Sequence, residues 1–391
     1  MKKTILVLTD WYAPAYKAGG IITACVNFAE KMSQTHKVFI LTSDSDMNGE
    51  KLEGISTGVW TMQHPNCFVK YLPAEQMSSG EIQQTVKALN PESVHLNSMF
   101  SLRYALLPLW LLLMKKIKCP VYLSTHGMML PGALQQKSFK KKIFLTLFKL
   151  ARLQHKVILR TNMDEEYEHI KKILRPSAAN LEKEVQPLGA SDYEYTCNEK
   201  APGFVSLAFL GRVHPVKNLS FALDVLSQVP YDVEFKIIGA IEDAAYWNQC
   251  RTQVEQLPQN IRVKHYGALP QKQAEQLLKE THALFLPSQT ENFCFAIYES
   301  FSNGRPVITS NKTPWRNLEA QGVGWDIALN SRDQFVDAIE KLAMMGEGEY
   351  TRLSENAWAF ANRYRKNITI QSQLEKAVPQ LFPAVAVKEA V

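Results

Sequence analysis

Four groups of residues in this sequence have the types and spacing to do chemistry. Glu291 and Glu299 stand with seven residues between them, the first in the polar loop Ser288–Asn292 and the second on a short helix expected from about Cys294 to Asn303. Arg212 and Lys217 share a loop that opens on Gly211 and runs to Asn218, just before another expected helix. Gly19 and Gly20 immediately precede a third helix, expected from about Ile21 to Met32, and His126 lies at the C-terminal end of an apolar run.

Free N–H groups and the positive dipole end make a helix start attractive to anions. Arg212 offers a bidentate fork and Lys217 a point charge, so together with such a helix start they suit a diphosphate and can stabilise it as a leaving group without a metal. A loop carboxylate and a helix carboxylate reach different parts of one ligand, by acid/base work or by binding sugar hydroxyls, and a carboxylate on a ribose diol is a common solution for nucleotides. A Gly-Gly pair lets backbone approach phosphates closely. Each group also has a plainer reading: two solvated charges, a flexible turn, a structural histidine. Asp44 and Asp46 make a D-x-D of the kind that holds a divalent metal in some transferases, but after a strand it reads as a turn. Neither G-x-G-x-x-G nor G-x-x-x-x-G-K-[ST] occurs, which removes the dinucleotide fingerprint and the P-loop.

The elements that must position these residues alternate strand and helix twice over. Apolar runs at 4–8, 37–42, 93–96, 120–127 and 157–160 read as strands of a first half, separated by helices at 21–32, 79–89, 102–116 and 163–174. Gln186–Ala190 closes that half, and the polar stretch 191–203 is the best linker. A second alternation opens at Phe204, with strands at 204–210, 233–238, 261–265, 283–286 and 306–309 and helices at 219–226, capped by Asn218, and 271–280. Helices at about 331–344, 348–363 and 369–378 finish the chain. Two doubly wound α/β domains with a cleft between them are the economical arrangement.

At 391 residues the chain exceeds what one hydrophobic core usually serves. Its 46% hydrophobic and 21% charged residues are ordinary for a globular protein. A net charge of +6 and a pI near 8.8 suit an anionic substrate or membrane surface, and no nucleic-acid reader motif is present. The six cysteines never form a C-x-x-C pair, so no zinc site or disulfide framework is expected and a reducing compartment is favoured. The N-terminus is too short in apolar residues for a signal peptide, and no stretch reads as a membrane span.

One basic segment stands apart. Residues 137–156 carry eight basic residues, counting His155, and no acidic one, with Phe139, Ile143, Phe144, Leu147, Leu150 and Leu153 at helical spacing. The expectation is a helix that buries this apolar face in its domain, with its basic face against anionic lipid headgroups.

Taken together, Phe209-Leu-Gly-Arg-Val-His-Pro-Val-Lys-Asn-Leu219, Leu286-Pro-Ser-x-x-Glu-Asn-Phe293, the E-x7-E closed by Glu299 and Gly304-Arg-Pro-Val-Ile308 closely resemble the retaining glycosyltransferases of family 4, the glycosyl transferases group 1, which have the GT-B fold of two Rossmann-like domains facing across a cleft. Tyr12-x-Pro, Gly19-Gly20, Thr125-His-Gly-Met128 and Thr313-Pro-Trp315 look like bacterial members that build surface polysaccharides such as O-antigen, capsule or exopolysaccharide.

The resemblance implies an acceptor-side domain over 1–190, a donor-binding domain over 191–366 and a C-terminal helix of about 367–391 packing back on the first. It implies a metal-independent, retaining hexosyltransferase without cofactor, its donor a UDP- or GDP-sugar and its acceptor a glycan or lipid-linked glycan, placed in the cytoplasm or on the inner face of the membrane. Arg212 and Lys217 would bind the donor diphosphate, Glu299 the ribose and Glu291 the sugar hydroxyls. Asn292, Phe293 and Cys294 would complete the donor loop, Gly19 and Gly20 would lie against the phosphates, and His126 would line the reaction centre. Cys294 departs from the family's usual glycine, where a side chain could crowd the donor. The rival readings are a nucleotide-sugar epimerase of the same fold and a nucleotide-sugar binding protein without turnover.

Overall fold

The computed structural model describes residues 2–135, 138–184, 188–189 and 194–377. The chain divides into two compact units, one within Met1–Ala190 and one beginning at Ser191. In the first, Thr4–Leu8 (β1) leads to Gly20–Ser33 (α1), Lys37–Ser43 (β2), Thr61–His64 (β3), Cys67–Leu72 (β4), Ser79–Leu89 (α2) and Ser93–Leu96 (β5). It continues with Leu107–Leu113 (α3), Val121–Ser124 (β6), Pro131–Gln135 (α4), Ser138–Leu150 (α5), Ile158–Thr161 (β7), Asp164–Leu174 (α6) and Leu181–Lys183 (β8).

The sheet runs β3-β4-β2-β1-β5-β6-β7-β8, parallel throughout except for the antiparallel edge strand β3. Strand β1 is apolar on both sides because both of its faces are covered. Leu6 and Leu8 join Ile82, Leu109 and Phe148 in one core, while Ile5 and Val7 pack with Cys25 and Ala29 of α1 in another. Local signals set the helix ends: Ser78 caps α2 by accepting from the Glu81 N–H, and Asn90 closes it in the left-handed conformation.

The second unit holds Phe204–Leu210 (β9), Leu219–Leu226 (α7), Asp232–Ile238 (β10), Ala244–Glu255 (α8), Ile261–Gly267 (β11), Gln271–Lys279 (α9) and Ala283–Leu286 (β12). Phe295–Ser302 (α10), Val307–Ser310 (β13), Gly324–Ile327 (β14), Arg332–Met344 (α11) and Glu347–Ala377 (α12) complete it. Its sheet is wholly parallel, in the order β11-β10-β9-β12-β13-β14. From β9 the chain winds one way through β10 and β11, then crosses back to β12. The loops after β9 and β12 therefore flank the point where strand order reverses, which is where open α/β sheets bind ligands. In the first unit the same reversal falls between β1 and β5.

Several elements differ from the sequence expectation. The expected helix over 102–116 is one turn of wider π-helix, Leu102–Leu106, followed by α3, which ends at Leu113. Pro108, near the start of α3, has no N–H to extend the preceding α-ladder. The two helices expected after Met344 are one continuous α12, since no Gly or Pro interrupts 349–377. Helix α8 was not expected; only its Cys250 is buried, so its apolar periodicity is faint. Asn218 precedes α7 in the left-handed conformation and caps it with no side-chain bond. Most strikingly for function, the apolar face of α5 is not buried as expected: Phe139 and Leu150 are each 75% exposed and Leu147 60%, while Leu145 and Phe148 reach the core. Residues 378–391, and with them much of the expected C-terminal helix, lie outside the described residues, as do 185–187 and 190–193 of the expected domain join.

One close approach fixes the loop after β9. At Gly239, following β10, φ is +154° and a Cβ would stand 2.0 Å from the Gly211 carbonyl oxygen. Gly239→Ala is expected to displace the 211–218 loop and to destabilise the protein by at least about 1–3 kcal/mol, as overpacking does. Chemical denaturation of the two proteins checks this.

Candidate active site

In the second unit the loops after β9 and β12 are bound to each other. Lys217 donates to Glu291 Oε1 at 2.5 Å, and Ser288 Oγ donates to the same oxygen at 2.6 Å. The Gln289 N–H reaches the Val216 carbonyl at 2.8 Å. Burial disfavours the charged form of Lys217, but the Glu291 carboxylate outweighs it and holds the pKa of the ammonium above its ordinary value. Arg212 is more exposed and pairs with Glu242 at 2.6 Å.

The loop then turns into α10 through Cys294, whose φ of +65° is the left-handed conformation that a glycine would adopt freely. The thiol is buried, and burial, with the Glu291 charge beside it, pushes its pKa up, so it stays protonated and unreactive. Trp315 Nε1 donates to the Phe293 carbonyl at 2.6 Å, and its ring lies 4.9 Å from that of Tyr364 on α12. Asn292 keeps a buried Oδ1 with no partner among the described residues. On α10, Glu299 is half-buried; burial, with Glu275 adding its charge, pushes its carboxyl up to about 7.

In the first unit Gly19 starts α1 at φ +65° and ψ −134°, a region open in practice only to glycine, and Gly20 is the helix's first residue. His126 follows β6 with φ +47° and hydrogen-bonds Asn97 Oδ1 at 2.7 Å through Nε2. Burial lowers its pKa to about 4, so the ring is neutral near pH 7, its Nε2–H donating to Asn97. Glu166, fully buried on α6, holds this loop by accepting the N–H groups of Gly127 at 3.0 Å and Met129 at 2.9 Å. A small pocket beside His126 is lined by His95, Asn97, Arg160, Asn162 and Glu184, among others. Arg160 stacks on Tyr122 at 3.8 Å and donates to Glu182 at 3.2 Å.

Asp44 and Asp46 are spent on the turn. Asp44 pairs with Lys51 at 2.5 Å, and Asp46 accepts from the N–H groups of Tyr16 at 2.9 Å and Met47 at 2.7 Å. Among the described residues no group of three or more His, Cys, Asp or Glu is arranged to hold a metal ion. The sequence reading passed over Asn97, Ser288 and Glu166. Asn97 and Ser288 stand at strand ends, where a polar residue is a usable signal, but Glu166 is one acid among several on a charged helix.

Residues 198–359, most of the second unit, match the family described as Glycosyl transferases group 1. The second unit carries the sequence pattern of this group. Solved structures extend the likeness, in fold alone, to nearly the whole chain. Sucrose-phosphate synthase from Thermosynechococcus elongatus is 15% identical, with a TM-score of 0.70 over 98% of this chain and 100% of its own. Anabaena HepE in complex with UDP and glucose is 15% identical, with a TM-score of 0.71 over 96% of this chain and 99% of its own. WaaG, a glycosyltransferase involved in lipopolysaccharide biosynthesis, is 13% identical, with a TM-score of 0.57 over 92% and 95%. These are structures of the two-domain GT-B kind, and the two parallel sheets described above are that fold. A search of curated proteins found no significant match.

The left-handed backbone at Cys294 yields a direct test. Cys294→Gly is expected to fold, with stability unchanged or raised by up to about 1 kcal/mol, because a side chain in this conformation costs about 1–2 kcal/mol. Thermal unfolding reads the difference; failure of this variant to fold would count against the loop conformation.

Proposed function

We propose that this protein is a glycosyltransferase that moves a hexose from a UDP- or GDP-sugar to a glycan or lipid-linked glycan acceptor in surface polysaccharide synthesis, with retention of anomeric configuration and without a metal. The observation that carries the reading is the junction of Lys217 and Glu291 at the switch point of the second sheet, with Glu299 on the helix that follows. A cation suited to diphosphate and a carboxylate suited to sugar hydroxyls are thereby adjacent, and each neutralises the other until a ligand divides them. Arg212 would exchange Glu242 for a phosphate oxygen; half-exposed, that pair is held weakly.

In this reading Lys217 and Arg212 stabilise the departing diphosphate, Glu299 holds the ribose and Glu291 the sugar. Asn292, Phe293 and Cys294 shape the donor loop. Charge stabilisation and positioning then supply most of the rate. Gly19 and Gly20 offer backbone to the phosphates. His126, neutral near pH 7, acts as a hydrogen-bonding group at the reaction centre. The division of labour is an acceptor-side domain over 1–190 and a donor domain over 191–366, with the C-terminal segment from about 367 returning to the first. HepE, crystallised with UDP and glucose, and WaaG, of lipopolysaccharide biosynthesis, support the donor class and the pathway by analogy of fold. We also propose peripheral contact of residues 137–156 with the inner face of the cell membrane; no described helix is long and apolar enough to cross one.

A thermal-shift panel of UDP- and GDP-sugars tests the donor class. A specific donor at a hundredfold excess over its Kd should stabilise the protein by about 2.7 kcal/mol, and a flat panel overturns the reading. Lys217→Ala and Glu291→Ala should each reduce donor turnover by at least about 100-fold. Turnover that persists in both excludes the assigned roles, and sugar conversion without acceptor would indicate an epimerase instead.

The raised carboxyl of Glu299 gives the pH dependence a sign. It is largely protonated at pH 6 and ionised at pH 8, and only the ionised form accepts both ribose hydroxyls. UDP affinity is therefore expected to rise as pH passes upward through about 7, and to lose that rise in Glu299→Gln. Calorimetric titration at several pH values measures it; the same rise in both proteins would remove Glu299 from the ribose.

A further inference from the structure

Two neighbouring helices of the first unit expose apolar stripes that the core leaves uncovered. On α5 the stripe is Phe139, Ile143, Leu147 and Leu150, from 45% to 75% exposed. The second stripe, not evident as such in the sequence, recurs every four residues along the π-turn and α3: Leu102 at 63% exposed, Leu106 at 37%, Trp110 at 50% and Met114 at 53%. Neither stripe is an unfinished core. Leu109 and Leu111 from the first helix and Leu145 and Phe148 from α5 already share one buried cluster, and Phe100 meets Phe144 edge-on at 5.1 Å. A single exposed leucine means little, but eight large exposed side chains on two helices that share a buried cluster point to an interaction surface.

Charge says what kind of surface fits. Between Glu92 and Asp164 the chain has no acidic residue. Exposed cations stand beside both stripes: Arg103, Lys115 and Lys116 by that of the π-turn and α3, Lys142, Lys149 and Arg152 by that of α5. A protein partner or a second copy of this chain would place no such ban on acids across a whole face. An anionic bilayer does, because it repels each carboxylate while taking up leucine, phenylalanine and tryptophan at the headgroup boundary.

We propose that the two stripes form one docking face for an anionic lipid bilayer, with Trp110 seated at the headgroup boundary. This extends the contact proposed above for residues 137–156 and fails separately from it. The π-turn begins at Leu102, in the loop that follows Asn97, and Asn97 is hydrogen-bonded to His126, so docking brings that loop towards the bilayer surface. An acceptor displayed on a lipid is then the class this unit would meet.

Co-sedimentation of the full chain with phosphatidylcholine vesicles, with and without phosphatidylglycerol, tests it. Binding is expected only with phosphatidylglycerol and should weaken with salt. Leu150→Glu on α5 and Trp110→Glu on α3 should each reduce it by at least about tenfold. Leu102→Glu, at a more exposed position, replaces the Trp110 variant if that protein fails to fold. Brominated lipid should quench part of the parent's tryptophan emission, and less in Trp110→Phe, which keeps the apolar surface. If only Leu150→Glu impairs binding, the narrower contact stands and the two-helix face is overturned. Equal binding to uncharged vesicles, no binding, or a dimer that Trp110→Glu dissolves also overturns it. A UDP-glucose thermal shift without vesicles reads the transferase assignment independently of all these outcomes.

Discussion

The ion pair of Lys217 and Glu291 is the constraint on which the second unit's site depends. Both groups are largely withdrawn from water, where a charge without a partner is costly. Their bond joins the ends of β9 and β12, neighbours in the sheet whose loops face the same edge, so the two loops have one geometry between them. Ser288 adds a second donor to the same carboxylate oxygen and leaves Glu291 little freedom to turn elsewhere. Behind it, Trp315 fastens the Phe293 carbonyl and sets the angle at which the chain enters α10. The site is rigid through its supports and neutral through its pair, a resting state in which cation and anion are already desolvated.

The first unit solves its positioning problem differently. The backbone around His126 is unusual, with two consecutive residues of positive φ, and Glu166 holds it by accepting two of its N–H groups. Hydrogen bonds from the backbone satisfy this buried carboxyl group in place of a cation. His126 is left neutral, bound through one nitrogen to Asn97, with its other nitrogen uncommitted to any described bond. One unit thus presents balanced charge, the other uncharged hydrogen-bonding groups.

Much of this was legible in the sequence where one physical signal dominated. The short apolar runs in β1 and β12 read as buried strands, and α2 carried both its cap and its left-handed stop. The loops bearing Arg212, Lys217 and Glu291 stood out because their charges stand just before expected helix starts, where anions bind. The faces of α5 could not be told apart, because its apolar residues wrap well over half its circumference and periodicity alone ranks no side above another. Helix α8, with one buried residue, offered almost no period at all. Ser288 and Asn97 escaped for another reason: their importance is a partner far away in sequence, which no local pattern encodes.

The strand orders carry one further consequence, which concerns how the protein is made. The first sheet is built wholly from β1 to β8 and the second wholly from β9 to β14, with no strand exchanged between them. Every hydrogen-bonded ladder of the first half is therefore available before the second half has left the ribosome, and domains of such chains fold in the order of synthesis. The polypeptide that emerges first also carries the exposed apolar stripes of α3 and α5, so under the docking proposal a nascent chain has that face in place while the second unit is still being translated.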